Sequence, residues 1–87
     1  MNTNITVFNN CDMDNVLMST VKEMQIAYSC FIIVYRNNQT GEHFMNVITF
    51  DCRHWDDILV SEKDSVCKVA VGIRKWFREN GNEVKGG

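Results

Sequence analysis

An α+β fold follows from three features of this 87-residue chain. Two runs rich in β-branched and aromatic residues, Ala27–Arg36 and His43–Phe50, flank a short polar segment containing Gly41. One apolar stripe at helical spacing precedes them and another follows. Period-2 segments read as strands and 3.6-period segments as amphipathic helices. The prediction is an antiparallel β-hairpin, extending to a three- or four-stranded sheet if further strands join, with two amphipathic helices in the order (β)αββα. All of residues 1–87 fall in a single domain, with 1–10 and 82–87 expected to fray.

Ile5 to Phe8 suits a short first strand, and Asn9-Asn10-Cys11-Asp12 reads as a turn and helix cap. Met13, Val16, Leu17, Val21 and Met24 then fall on one helical face, with Asp12 and Asp14 at the positive end of the helix dipole. In the hairpin, a type I turn at Asn38-Gln39-Thr40 with Gly41 left-handed sets Asn37 opposite Glu42. Arg53 to Val60 admits two readings: a loop with a helical turn at Trp55–Leu59, or a short strand at Ile58–Val60. Ser61-Glu62-Lys63-Asp64 resembles a capping box for the second helix. Its apolar stripe is Val66, Val69, Ala70, Ile73, Trp76 and Phe77, and Asn80-Gly81 reads as its stop.

That register has a functional consequence. One hairpin face carries Phe31, Ile33, Tyr35, Phe44, Asn46, Ile48 and Phe50, and the other Cys30, Ile32, Val34, Met45, Val47 and Thr49. Both are apolar, whereas a sheet with one wet face alternates polar and apolar residues. Burial is the default for such residues, so the expectation is that one helix lies on each face, or that the N-terminal strand helps close the core. If both helices share a face, the other is left for a partner.

Composition narrows the function classes. Apolar content of 45% and charged content of 23% describe a globular chain. A net charge of −2 argues against a general nucleic-acid binder. The polar, cation-free start of the chain is not a signal peptide, and no apolar run approaches a membrane span, so a cytoplasmic protein with reduced cysteines is expected. Cys11, Cys30, Cys52 and Cys67 include no C-x-x-C pair, which leaves no zinc signature. Cys52-Arg53-His54, with Asp51, Asp56 and Asp57 nearby, has the residue types of a Cys–His nucleophile. Aspartates after a strand are far more often caps, and a domain this small leaves little room for a substrate pocket. No enzyme activity, cofactor or metal is expected. Lys68, Arg74, Lys75 and Arg78 form a basic side of the second helix, read as a solvated face or as a contact for phosphates or an acidic protein.

Proline is absent and asparagine occurs ten times, which suggests an AT-rich coding source. In size, composition and helix–hairpin–helix order, the chain resembles the small phage-encoded inhibitors of host defence, anti-CRISPR proteins among them. That resemblance carries no motif and assigns no residues. It implies a non-enzymatic inhibitor that covers a host or defence-system protein in the host cytoplasm. Exposed aromatics and arginines dominate such interfaces, which makes Tyr35, Phe44, Arg53 and Trp55 the candidate anchors, with Phe31 beside them. Two alternatives remain. A face bearing Phe31, Tyr35 and Phe44 suits the stacking of single-stranded nucleic acid, and a βαββα order resembles a truncated RNA-recognition fold. A two-faced apolar hairpin with a free edge also suits a homodimer.

Overall fold

The computed structural model describes residues 4–9 and 13–86. Its elements run β1 (Ile5–Val7), α1 (Asn15–Tyr28), β2 (Cys30–Asn37), β3 (His43–Thr49), β4 (His54–Ser61) and α2 (Val66–Val84). The four strands form one antiparallel sheet in the order β1-β2-β3-β4. The fold is therefore α+β, with the hairpin extended by a strand on each side.

The hairpin register is the predicted one. Tyr35 pairs with Phe44 and Arg36 with His43, and the Asn37 N–H donates to the Glu42 carbonyl at 2.9 Å. Gly41 takes φ +79°, a conformation that glycine adopts without a Cβ penalty, and its N–H closes the turn onto the Asn37 carbonyl at 2.8 Å. The Asn37 side chain accepts the N–H groups of Gln39 and Thr40, so the turn's free donors are satisfied locally.

Both helices cover the same side of the sheet, which overturns the expectation of one per face. Leu17, Val21 and Met24 of α1 and Val69, Ile73, Phe77 and Val84 of α2 enclose one core with Cys30, Ile32, Val34, Met45, Val47 and Val60. The physical reason is mutual coverage. Two helices packed side by side bury their stripes against each other as well as against the sheet. Tyr28 stacks on Phe77 at 4.9 Å, and Arg74 forms an ion pair with Glu23 across the helix pair. A fully buried Phe such as Phe77 contributes roughly 1.5–3 kcal/mol through its area alone.

Several boundaries differ from those predicted. Helix α1 is capped by Asp14, whose carboxylate accepts the Val16 and Leu17 N–H groups; residues 10–12 of the expected cap lie outside the described residues. Ala27 and Tyr28 belong to α1 rather than to the strand, because Ser29 adopts the left-handed cap at φ 52° that glycine usually supplies. The ambiguous Arg53–Val60 segment holds the strand β4, and the helical turn at Trp55–Leu59 does not form. Ser61 ends that strand and its hydroxyl binds the Lys63 backbone, so the expected capping box does not form and Ser65 takes the N-cap position of α2. Asn80-Gly81 does not stop α2. Gly81 is buried, and a Cβ there would lie 2.9 Å from Cζ of the Tyr28 ring. Glycine serves close helix packing at that position. Within the segments 1–10 and 82–87, Ile5–Val7 pairs with β2, and Val84 is buried.

Among the described residues, no helix is long and apolar enough to cross a membrane.

Candidate functional site

Among the described residues, nothing covers the sheet face turned away from the helices. Strand pairing puts Val7, Tyr35, Phe44 and Leu59 in one row across β1, β2, β3 and β4. Phe31 and Ile48 pair in another, with His54 beyond Ile48. Exposure is 56% at Val7, 55% at Phe31, 46% at Leu59 and 69% at Phe50, values unusual for side chains of this type that sit side by side. Ile5 and Ile33 are exposed on the same face. The rings are pre-arranged: Tyr35 stacks on Phe44 with centroids 5.5 Å apart, and Phe31 meets Phe50 edge-on at 5.1 Å.

A β-bulge interrupts the face on β4, between the Met45–Ile58 and Val47–Trp55 pairs. Asp57 sits in it with φ 55°, in the left-handed region that aspartate tolerates better than most residues. Its N–H donates to the Asn46 side-chain oxygen at 2.8 Å, and its carboxylate accepts the Tyr35 hydroxyl. Partial burial first, and the Asp57 carboxylate second, hold the Tyr35 hydroxyl well above the ordinary tyrosine pKa. Asp56 lies beside it, its carboxylate 2.9 Å from Nδ1 of His54.

The structure gathers some predicted anchors here and sends others elsewhere. Phe31, Tyr35 and Phe44 lie on the open face. Arg53 and Trp55, expected as exposed anchors, do not. Arg53 lies in the β3–β4 turn and donates to the carbonyls of Glu83 and Val84 at 2.6 and 3.0 Å, so it caps the free C-terminal end of α2. Trp55 points to the helix side, half-buried edge-on to Trp76 at 6.1 Å, with the Arg53 guanidinium over its ring. Lys68, Arg74, Lys75 and Arg78 are exposed on α2, on the opposite side of the molecule from the aromatic patch. Val7 and Leu59 join the face without having been singled out from sequence, and Asp57, named there as a neighbour of the Cys–His pair, joins it as well. Alternation at Ile5–Val7 carries a signal for Val7, but nothing marks the bulge that aims Asp57.

The Cys–His candidates lie in the β3–β4 turn and at the start of β4. Cys52 occupies the turn with φ 68°, and the His54 imidazole is held by Asp56. Asp51 is turned to the Thr49 hydroxyl and the Arg53 guanidinium, which together lower its pKa. Among the described residues, no group of three His, Cys, Asp or Glu side chains converges as a metal site. A hollow of about 550 Å³ lies at the C-terminal ends of both helices, beside Tyr28, Thr49, Phe50, Arg53 and Lys85. Several of its polar side chains are engaged in structure: Thr49 with Asp51, Arg53 with the α2 carbonyls, and Lys85 over the Tyr28 ring. Comparison with protein-family models, with curated proteins and with solved structures finds no match for this chain.

Proposed function

We propose that the protein is a non-enzymatic binding module that acts by covering a surface of another protein with its open sheet face. One observation carries the reading: a contiguous patch of large apolar side chains, spread over all four strands, that none of the described elements covers. Soluble chains seldom leave such a patch unless a partner occupies it. Rigid aromatic side chains on a sheet also lose little conformational entropy on docking, which favours affinity. In size, composition and element order the chain resembles small phage-encoded inhibitors, which points to the kind of partner. There the partner is a host or defence-system protein, and the binding blocks it.

Single-stranded nucleic acid is the weaker reading. Stacking on Phe31, Tyr35 and Phe44 would need cations nearby to meet the phosphates. None of the nine lysines and arginines, all of them among the described residues, lies on that face.

The test compares affinity capture by the wild-type chain, by a Phe31→Ser/Phe50→Ser double variant and by an Arg74→Ser/Arg78→Ser control. A partner retained by the wild type and the control but lost from the double variant is the expected result. Equal retention by all three chains would place binding elsewhere and overturn the proposal.

A further inference from the structure

Resting on the reading of the open face as a protein-binding surface, the distribution of charge across the molecule specifies what kind of protein fits. Beside the aromatic patch, next to the polar Asn46 of β3, the bulge on β4 sets the carboxylates of Asp56 and Asp57. Their partners are the neutral Tyr35 hydroxyl and the His54 imidazole. Among the described residues, neither carboxylate meets a lysine or arginine.

Every lysine and arginine of the chain is placed elsewhere. Lys22 is on α1, and Lys68, Arg74, Lys75 and Arg78 are on α2, with Lys85 at its end. Lys63 lies in the loop before α2. Arg36 is turned to the helix side, over the Phe8 ring and near Asp64, and Arg53 is engaged by the α2 carbonyls. A partner that covers the face therefore strips water from two carboxylates that no lysine or arginine of the chain meets: Asp57 has the Tyr35 hydroxyl and Asp56 the His54 imidazole. Burying a carboxylate without a compensating cation is strongly unfavourable.

We infer that the face docks a segment of a different protein in which an arginine or lysine projects from an apolar surface. The cation meets Asp56 and Asp57, and the apolar side chains lie on Val7, Phe31, Phe50 and Leu59. Arginine is the better fit, since its planar fork can bridge two carboxylates while its flat face stacks on Tyr35. The same charge balance disfavours a second copy of this chain. A two-fold pairing of identical faces buries four carboxylates and supplies no lysine or arginine.

The experiment pans a phage-displayed library of random peptides against the immobilised full chain at near-physiological salt. Three chains are then compared: wild type, Asp56→Asn/Asp57→Asn and Phe31→Ser/Phe50→Ser. Asparagine tolerates the left-handed conformation at position 57, so the Asn variant keeps the bulge. Enriched peptides should carry an arginine or lysine flanked by aromatic or aliphatic residues. Their affinity should fall about 5- to 10-fold on the Asn variant, as for a partly desolvated charge pair, and collapse on the Ser variant.

Neutral or acidic consensus peptides, or peptides that bind the Asn variant unchanged, would overturn the cationic partner and leave the binding face standing. Peptides indifferent to Phe31→Ser/Phe50→Ser, or a library that enriches nothing, would overturn both readings. Sedimentation as a dimer with the face protected from hydrogen exchange would assign it to a second copy. Retention of single-stranded oligonucleotide at low salt, lost on the Ser variant, would assign it to nucleic acid.

Discussion

Gly72 of α2 lies directly against the backbone carbonyl of Val60 in β4: a Cβ at position 72 would sit 2.7 Å from that carbonyl carbon and closer still to its oxygen. The helix can press onto the edge strand only because the side chain is missing. This close seat also covers part of the β4 edge, which would otherwise offer unpaired backbone groups to another chain.

Gly72→Ala should therefore destabilise the fold, and by more than Gly81→Ala. Overpacking costs about 1–3 kcal/mol, and the helix-propensity gain of about 1 kcal/mol offsets only part of it. At position 72 the obstacle is backbone in a sheet, which cannot turn aside. At position 81 it is the Tyr28 ring, which can shift at the expense of its stack on Phe77. Urea unfolding should show the midpoint falling for both variants, with Gly72→Ala the lower. The reverse order would show that helix α2 slides more easily than the ring turns.

Arg53→Ala should loosen the end of α2. The guanidinium caps two of its last carbonyls and also pairs with Asp51. Charge-assisted hydrogen bonds of this kind are worth roughly 1.5–3 kcal/mol, discounted here because the side chain is partly exposed. A loss of about 1–2 kcal/mol is expected, with faster amide exchange confined to the last turn of α2 and the β3–β4 turn. Lysine should restore only part of it, lacking the two-pronged fork. Unchanged exchange near Val84 in Arg53→Ala would contradict the clamp.

Thiol chemistry separates the cysteines. Cys52 and Cys67 are exposed and should react with a thiol reagent in the native state, located by peptide mapping. Cys30 is buried, and desolvation pushes its pKa up to about 11 from an ordinary value of 9.0. It should label only when the chain unfolds. The unfolded state loses this proton first, so the stability associated with the neutral thiol is intact below pH 9.0 and is lost as pH rises toward 11. Tyr35, whose pKa is also raised, acts in the same direction at higher pH. A melting temperature that stays flat across this alkaline range would argue against a buried, neutral Cys30.

Polar substitution on the open face should cost little stability. Phe31→Ser and Phe50→Ser remove a side chain already more than half in water, so each should change stability by no more than about 1 kcal/mol. Phe77→Ser, by contrast, should abolish folding, because burying a hydroxyl adds to a cavity cost of about 3–5 kcal/mol. Binding of a fluorescent apolar dye should fall with the first two variants. Equal destabilisation by Phe31→Ser and Phe77→Ser would mean that the sheet is covered on both sides.

Local features of the fold are legible in the chain alone. Turn chemistry at Asn37–Gly41 sets the hairpin register, and that register separates Phe31, Tyr35 and Phe44 from Ile32, Val34 and Met45. The helical stripes name Leu17, Val21, Val69, Ile73 and Phe77 as core, since 3.6-residue periodicity is a property of the residue order, although Val16 and Val66 of the same stripes lie exposed. Whatever depends on which elements touch is settled by packing instead. Two apolar hairpin faces are equivalent in sequence, and the packing of α1 against α2 selects the one that is covered. Gly81 reads as a helix stop until Tyr28 is found to need the space. Arg53 reads as a surface anchor until the α2 carbonyls arrive beside it. The open aromatic face, with two aspartates and no lysine or arginine, exists because both helices gain more by burying each other than by covering the sheet from both sides.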